Sequence, residues 1–180
     1  MVKEEHIRRA NIEDAQTLSD LSKVTFFDTF KDTCTAEDMQ SFISEYFNIE
    51  LIKKELLNPD DFYFISFIDG IPAGYLRLKE DSSDVEIIAK HKAIELKRIY
   101  VLKEYHSQKV GAALMNFALN FAAAKNYEMI WLGVWEHNER AKIFYKKFGF
   151  EETGAKHPFP IGSTPQTDDW LFKFIEKTKR

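Results

Sequence analysis

The sequence predicts a mixed α/β fold in which helices flank a mixed β-sheet, and two patterns point to this class. Two runs of aromatic and β-branched residues lie on either side of Asp69-Gly70, a dipeptide typical of a tight hairpin turn. Later in the chain, an amphipathic helical stretch joins two apolar runs, which implies a parallel crossover. A hairpin together with a crossover requires a mixed sheet with helices on its faces. The 180 residues fit one domain that spans 1–180.

The first third of the chain is predicted to be mostly helical. A short strand at His6–Arg9 precedes Asn11, which is a suitable N-cap for a helix that runs to about Phe27. Apolar residues recur at helical spacing in Thr35–Phe47 and again in Ile49–Leu57. The sequence therefore predicts three helices between the first strand and the hairpin.

The hairpin strands are predicted at Phe62–Ile68 and Ile71–Lys79, and a fourth strand at Ile94–Val101. The pattern between them, at Asp84–His91, fits neither a helix nor a strand clearly. In the fourth strand the apolar alternation changes phase near Lys97. A β-bulge supplies the extra residue that such a change needs, and bulges often lie beside active sites. An irregular edge strand is the alternative.

The second half of the chain alternates helices and strands. Val110–Ala124 has one apolar stripe and predicts an amphipathic helix, whereas the continuous apolar run Met129–Trp135 predicts a strand buried on both faces. A helix at Asn138–Phe148 has Asn138 as its N-cap and Gly149 just past its end. The remaining chain is predicted as a strand that begins at Phe150–Thr153, a long loop over Lys156–Gln166 and a last strand at Asp169–Ile175.

Composition excludes several classes of protein. A formal net charge of −4 is unlike that of nucleic-acid-binding domains, which are usually basic. The only cysteine is Cys34, so no intramolecular disulfide can form, and no metal-ligand spacing occurs. The first ten residues lack the apolar region of a secretory signal, and no apolar run has membrane-spanning length. We therefore expect a cytoplasmic protein without a metal, a nucleic-acid partner or a membrane partner.

One segment has the features of an anion site. The loop between the fourth strand and the helix Val110–Ala124 contains His106, Lys109 and Gly111. A helix N-terminus presents unpaired N–H groups and the positive end of the helix dipole, which together bind phosphate. Gly111 would let a ligand approach the backbone closely. By itself this pattern is weak, because most strand–loop–helix units bind nothing.

A second segment makes the pattern specific. The chain from Trp135 to Phe150 resembles the second acyl-CoA motif of the GNAT superfamily of N-acetyltransferases, in which an Asn is followed by helical residues, Phe-Tyr and Gly-Phe. The loop from His106 to Gly111 is similar to the pyrophosphate loop of that superfamily, with His106 at a Gln/Arg position and Lys109 at the first glycine position. Further segments resemble the PaiA-type spermidine/spermine N-acetyltransferases: Thr25–Phe30, Glu95–Val101, Trp131–Trp135, Phe159, Gly162 and Gln166–Asp168.

The resemblance implies acetyl-CoA as co-substrate, bound where the fourth and fifth strands splay apart. It implies that pantetheine pairs with the backbone of Ile99, Tyr100 and Val101, and that Val101 N–H is a candidate oxyanion donor. Asn138 would hydrogen-bond the pantetheine arm, and Lys147 would reach the nucleotide phosphates. The implied pyrophosphate site consists of His106, Ser107, Gln108, Lys109, Val110, Gly111 and Ala112.

Two residues are predicted to be catalytic. Tyr145 would protonate the departing CoA sulfur, because a phenol is a sufficiently acidic donor for a thiolate. The alternative for Tyr145 is a core tyrosine on an amphipathic helix. Glu95 would remove a proton from the amine through water, and its alternative is a solvated strand carboxylate.

The substrate that the resemblance implies is a small-molecule amine, with spermidine or spermine first. A peptide or protein amine is the alternative among enzymes, and a non-catalytic regulator that binds acyl-CoA is the alternative from another class. Exposed strand edges in this architecture allow a homodimer.

Overall fold

The computed structural model describes residues 5–176; residues 1–4, part of the segment predicted to lack a secretory signal, and residues 177–180 lie outside the described part. The strands are β1 (Glu5–Arg9), β2 (Asp61–Ile68), β3 (Ile71–Lys79), β4 (Ala93–Val101), β5 (Met129–Trp135), β6 (Glu151–Pro158) and β7 (Thr167–Phe174). The α-helices are α1 (Ala15–Phe30), α2 (Ala36–Tyr46), α3 (Ile49–Leu57), α4 (Glu86–Ala89), α5 (Val110–Ala124) and α6 (Glu139–Lys147).

The strands form one mixed sheet in the order β1-β2-β3-β4-β5-β7-β6. The pair β4–β5 is parallel and the other neighbouring pairs are antiparallel. Asp69 and Gly70 both have positive φ angles, the conformation of a tight two-residue hairpin turn between β2 and β3. The predicted mixed sheet with flanking helices is therefore confirmed.

The two faces of the sheet bury different helices. On one face, α5 packs its fully buried Leu114 and Ala118 against the central strands, and α6 adds Tyr145 to the same core. On the other face, Leu18 of α1 and Ile52 of α3 are fully buried. Alternate residues of a strand point to opposite faces, so each central strand contributes to both cores.

Several predicted boundaries differ from the structure. Asn11 caps a 3₁₀ turn at Ile12–Asp14, and the α-helix begins only at Ala15 and runs to Phe30, three residues beyond the predicted end. In this turn the Asn11 carbonyl oxygen accepts a hydrogen bond from Asp14 N–H, and the side chains of both residues close a capping box. The unclear segment Asp84–His91 contains the single-turn helix α4.

The predicted loop Lys156–Gln166 is wrong in its first three residues. Lys156–Pro158 belongs to β6 and pairs with Thr167–Asp169 of β7. The last strand therefore begins at Thr167, two residues before the predicted start at Asp169. The register between β6 and β7 shifts at Glu152–Lys156, which conceals the period-two pattern in the sequence. The loop between the two strands is therefore shorter and held at both ends.

Candidate active site

A gap between β4 and β5 opens the candidate site. These strands pair only at three positions, from Ala93–Met129 to Glu95–Trp131, and then diverge. The register between β3 and β4 passes from Arg77–Arg98 to Leu78–Leu96, which leaves Lys97 as the extra residue of a β-bulge. The predicted bulge is confirmed. Because a bulge bends its strand, β4 turns away from β5, and a cavity of about 1200 Å³ lies along the gap.

The N-terminus of α5 lies at one end of this cavity. Lys109 precedes the helix in the left-handed conformation (φ 63°, ψ 9°), and its side chain does not cap the helix. The first helical hydrogen bond runs from Ala113 N–H to the Lys109 carbonyl, so the N–H groups of Val110, Gly111 and Ala112 have no intrahelical acceptor. A Cβ on Gly111 would lie at ordinary contact distance, 3.8 Å, from the Phe144 ring and the Val101 side chain, beside the unpaired N–H groups. These groups suit a pyrophosphate.

The His106 side chain connects β4 to α6 through two hydrogen bonds. Its Nε2 lies 2.8 Å from the Val101 carbonyl oxygen, and its Nδ1 lies 2.9 Å from the Arg140 guanidinium. Since the guanidinium can only donate, Nδ1 accepts and the Nε2–H donates to the carbonyl. His106 thus joins the end of β4 to the first turn of α6 at the mouth of the gap.

The free edge of β4 offers backbone groups to the gap. Leu102 N–H donates to the Ala73 carbonyl of β3 at 2.9 Å. Hydrogen-bonded and non-hydrogen-bonded pairs alternate along an antiparallel ladder, so Ile99 and Val101 direct their N–H groups away from β3 and into the gap. An extended ligand arm lying there could pair with this edge as an added strand.

Asn138 begins the helix on the opposite wall. Its side-chain oxygen accepts a hydrogen bond from Ala141 N–H at 3.1 Å, as an N-cap does. The side-chain NH₂ of Asn138 donates to no group among residues 5–176, and Asn138 lines the cavity. The predicted N-cap is confirmed, and the amide hydrogens are available to a ligand.

Tyr145 of α6 is a buried residue of the cavity wall. The residue is 8% exposed, packs its ring against Phe144 and Phe150, and lines the cavity. Burial raises the pKa of the Tyr145 phenol, and the negative charge of Asp168 raises it further. The phenol is therefore protonated at neutral pH and can donate.

Glu95 lies where the pairing of β4 and β5 ends. The residue is 6% exposed, and both carboxylate oxygens accept hydrogen bonds from the Lys97 ammonium, at 3.1 and 3.3 Å. Burial raises the pKa of the Glu95 carboxyl, and Lys97 partly opposes the rise. The extra residue of the bulge is thus the cation that holds this buried carboxylate.

Asp168 of β7 is a further acidic residue of the cavity. A Cβ built on Gly133 of β5 would lie 2.9 Å from Asp168 Oδ2, so the carboxyl occupies the space above that glycine. Burial raises the pKa of Asp168 to about 6, with Lys97 opposing and Asp169 and Glu95 adding to the rise. The feature of the sequence that could have indicated a buried side chain here is Gly133, a residue without a side chain in an otherwise bulky apolar strand.

The far wall of the cavity is aromatic and is closed by the β6–β7 connection. Phe26 and Phe30 of α1 pack against Phe159 of that connection, with ring centroids 6.4 and 5.9 Å apart. The Asp38 carboxylate accepts hydrogen bonds from Ser163 N–H and from the Ser163 and Thr164 hydroxyls, at 2.9 to 3.0 Å. These bonds fasten the connection to α2.

Comparison with known proteins identifies the family. Residues 18–150 match the Acetyltransferase (GNAT) family. The chain belongs to the GNAT family of acetyltransferases. It is 35% identical to an uncharacterised N-acetyltransferase of Lactobacillus delbrueckii subsp. lactis, over 86% of this chain and 88% of that protein. It is 29% identical to a spermidine N(1)-acetyltransferase of Thermoplasma acidophilum, over 81% of this chain and 87% of that protein.

A solved structure agrees with the fold. The PaiA N-acetyltransferase of Thermoplasma acidophilum, crystallised in complex with coenzyme A, has a TM-score of 0.77 and 24% identity, covering 95% of this chain and 99% of that chain. The family match and the N-acetyltransferase relatives make this GNAT protein an acetyl-CoA-dependent N-acetyltransferase. Within residues 5–176 no group of three or more His, Cys, Asp or Glu could hold a metal ion, and no helix is long and apolar enough to cross a membrane.

The acetyltransferase fold brings most of the predicted site residues to one cavity. Those that line it are Glu95, Ile99, Tyr100, Val101, His106, Lys109, Gly111, Ala112, Asn138 and Tyr145. The predicted cofactor residues that do not line it are Ser107, Gln108, Val110 and Lys147. The Val110 side chain is fully buried beneath α5, so only its backbone N–H is suited to the pyrophosphate. The role of each residue stays a prediction.

The two departures in the pyrophosphate loop have distinct structural consequences. Lys109 has the left-handed backbone conformation that favours glycine, so the loop keeps a shape that suits a pyrophosphate. The His106 side chain bonds the Val101 carbonyl and Arg140, while the helix N–H groups remain open. The structure therefore fits coenzyme A despite both substitutions.

Proposed function

We propose that this acetyltransferase acetylates a polyamine of the spermidine or spermine type. The observation that carries the proposal is the charge of the acceptor face, defined as the part of the cavity lined by Asp81, Glu95, Trp131, Asp168 and Trp170. Three of these five residues are acidic. Lys97, which also lines the cavity, binds Glu95, and Lys79 binds Asp81, so Asp168 is the carboxylate of this face that no described cation neutralises. An ammonium group of a polycationic substrate gains attraction from that carboxylate, and its further ammonium groups can share the two paired ones. The name of the Thermoplasma acidophilum relative supports the same substrate class.

Aromatic rings on the acceptor face add to this argument. Trp131 and Trp170 lie with ring centroids 4.9 Å apart, and the His157 ring stacks on Trp170 at 5.2 Å. Ring faces attract ammonium groups, and the methylene chains of a polyamine gain from contact with the same apolar surface. The combination of carboxylates and indole rings therefore favours an amine with both charge and apolar length.

The closed wall argues against the peptide alternative. Gln166 of the β6–β7 connection donates to the Thr33 carbonyl at 3.1 Å and accepts from the Trp135 indole N–H at 2.7 Å. With the bonds of Asp38, these contacts hold the connection against the α1–α2 segment, along the wall of the cavity that Phe159 lines. A polypeptide that runs through the site on both sides of its acceptor amine needs a groove open at both ends, whereas a slender amine needs only a channel.

The chemistry of transfer asks for positioning, an oxyanion donor and an acid. Acetyl-CoA supplies an activated thioester. In the proposed mechanism the amine is held in line with the thioester carbonyl, and Val101 N–H donates to the developing oxyanion. Tyr145 gives its proton to the departing sulfur. Glu95 and Asp168 are the carboxyls that bind the ammonium, and the prediction that Glu95 is the base stays a prediction.

A panel of amines tests the substrate. Thiol release from acetyl-CoA is followed with spermidine, spermine, a diamine, a monoamine of similar pKa and a lysine peptide, and products are identified by mass. We expect kcat/KM to rise with the number of ammonium groups by at least about tenfold from monoamine to spermidine. Equal values for monoamine and spermidine would contradict the polyamine assignment, and preference for the peptide would support the alternative enzyme.

The variant Tyr145→Phe tests the acid and the non-catalytic alternative together. We expect kcat to fall about 100-fold, because the thiolate loses its proton donor, with the Kd for CoA within about twofold. The matched control is Tyr127→Phe, which removes a hydroxyl bonded to Glu80 and outside the cavity lining. Equal turnover in wild type and Tyr145→Phe would remove Tyr145 from this role.

A further inference from the structure

Asp168 differs from the other carboxyls of the cavity in having no partner. Its carboxylate makes no hydrogen bond or ion pair with any group in the described chain, 5–176, although it is half-buried and lines the cavity. The neighbouring Asp169 is bound by Lys142 at 2.7 Å and by Lys156 at 3.2 Å. A buried carboxylate without a partner is costly unless the site provides it with a cation or a proton.

The Glu95 carboxylate, unlike that of Asp168, already has a cationic partner. Both of its oxygens accept from Lys97, so a proton placed on Glu95 would have to displace an ammonium group. Glu95 is the cross-strand neighbour of Trp131, whereas the carboxyl of Asp168 lies above Gly133, two residues or roughly 7 Å further along the gap. That places Asp168 on the side of Glu95 toward which the gap widens.

We propose that Asp168, rather than Glu95, is the proton acceptor that converts the bound ammonium into the nucleophilic amine. This inference rests on the proposed function, because it requires an amine that arrives protonated. Glu95, neutralised by Lys97, then has the separate task of binding and orienting the substrate. Gly133 is the residue that makes room for Asp168, because a side chain there would meet the carboxyl.

The proton balance of the step is complete with groups on the chain. The ammonium R–NH₃⁺ gives one proton to the Asp168 carboxylate, and the freed nitrogen lone pair forms the N–C bond to the acetyl carbon. The C–S bond breaks, and the sulfur takes the proton of the Tyr145 hydroxyl. Tyr145 regains a proton from the acylated nitrogen, and Asp168 releases its proton to water. The net products are the N-acetyl amine, CoA thiol and one proton.

The pKa shifts of Asp168 and Tyr145 are consistent with this order of proton transfers. A pKa of about 6 at Asp168 leaves the group ionised near neutral pH and still a better base than an ordinary carboxylate. The negative charge of Asp168 helps to hold the pKa of Tyr145 high. Protonation of Asp168 removes that charge, so the phenol becomes a stronger acid after the amine has been activated.

Several charged and titratable groups set the pH response of Asp168. They are Glu95, Lys97 and Tyr100 on β4, Tyr145 on α6, His157 opposite Asp168 on β6, and Asp169 on the same strand. Lys97 lowers the pKa of Asp168, and Asp169 and Glu95 raise it. The experiment must therefore separate Asp168 from these neighbours.

The test is the pH dependence of kcat/KM for spermidine in wild type and in Asp168→Asn. For wild type we expect the value to rise with pH up to about 6 and then level, because the base must be ionised. In Asp168→Asn the enzyme depends on free amine, with a pKa of about 10, so the value should keep rising tenfold per pH unit beyond pH 7. The loss should be about 100- to 1000-fold at pH 7 and nearly vanish above pH 9.5.

Two comparisons make the outcome decisive. Asp169→Asn is the matched control, the same change one residue away. It should keep the rise of kcat/KM with pH but shift it below pH 6, because the charge of Asp169 raises the pKa of Asp168. Glu95→Gln should also keep that rise, shifted in the same direction, while KM increases. A loss in Asp168→Asn that is equal at all pH values would show a structural role and overturn the inference. So would a carbon-13 carboxyl resonance of Asp168, followed in the CoA complex, that titrates below pH 5.

A wrong substrate assignment would give a different experimental result. If wild type forms no acetylated polyamine, the substrate assignment is wrong, and the pH profiles are taken with whichever amine of the panel is acetylated. If both wild type and Asp168→Asn acetylate the polyamine, and kcat/KM rises with pH in the same way up to about pH 6 in both, only the proposed role of Asp168 is contradicted. Carboxyl titration decides the same question without turnover.

Discussion

Lys109 shows how a single residue adapts a motif. Its φ of 63° is in the left-handed region, which costs a non-glycine residue roughly 1–2 kcal/mol. The loop accepts this strain because the turn directs the α5 N–H groups at the cavity. The sequence alone marks Lys109 as a departure from the glycine pattern, and the structure shows that the backbone shape persists.

Replacement of Lys109 by glycine should relieve that strain. Because glycine also gains freedom in the unfolded chain, we expect Lys109→Gly to raise the free energy of unfolding by only about 0.5–1 kcal/mol, measured by urea denaturation. The control is Lys125→Gly at the end of α5, where φ is −88° and the same change should destabilise by up to about 1 kcal/mol. A loss of stability in Lys109→Gly would contradict the strain.

At the scale of residues, local signals were enough for some site positions but not for others. Asn138 and Tyr145 were predictable because capping and the Phe-Tyr pair are local features of one helix. The partners of His106 were not, since Arg140 is 34 residues away and only the fold brings the two together. The sequence placed Asp168 in the segment Gln166–Asp168 but gave it no role, because its burial depends on β4, β5 and α6.

At the scale of elements, the bulge at Lys97 bends β4 away from β5, and the absence of a side chain at Gly133 makes room for Asp168 in the gap. The bulge at Lys97 was predictable from the phase of the apolar residues in β4. The extension of β6 through Pro158 was not, because that strand is mostly exposed and its ladder with β7 is irregular. A strand that buries no face leaves no apolar alternation in the sequence.

Gly133 of β5 is the element-scale position that controls Asp168. In Gly133→Ala the new Cβ would lie 2.9 Å from Oδ2, which is the far end of a movable side chain. We therefore expect unfolding free energy to change by less than about 1 kcal/mol, while the displaced carboxyl lowers kcat/KM at pH 7 by about 10- to 100-fold. In an Asp168→Asn background the same change should have little further effect, and additive losses would contradict the coupling.

At the scale of the whole molecule, a buried ionic cluster joins α3 to the sheet beside the active site. Arg77 of β3 donates to Asp61 and to Glu55, each at 2.8 Å. The Tyr63 hydroxyl donates to Glu55 at 2.6 Å and accepts from Arg98, which lines the cavity. The hydrophobic pattern predicted the helix and the strands, yet not this network, because charge pairing across elements has no period in sequence.

The cluster predicts where the fold is most sensitive to loss of one charge. In Arg77→Met, Asp61 keeps its negative charge where its side chain is only 2% exposed, while Glu55 keeps Arg98 at 3.7 Å. An uncompensated buried charge costs about 3–5 kcal/mol, so thermal and urea unfolding should show a loss of that size. The control Arg8→Met breaks the pair with Asp14, in which Arg8 is 39% exposed, and should cost about 0–1 kcal/mol. Similar losses in the two variants would mean that water reaches the cluster, and Arg77 would then not be the residue that holds α3 against the sheet.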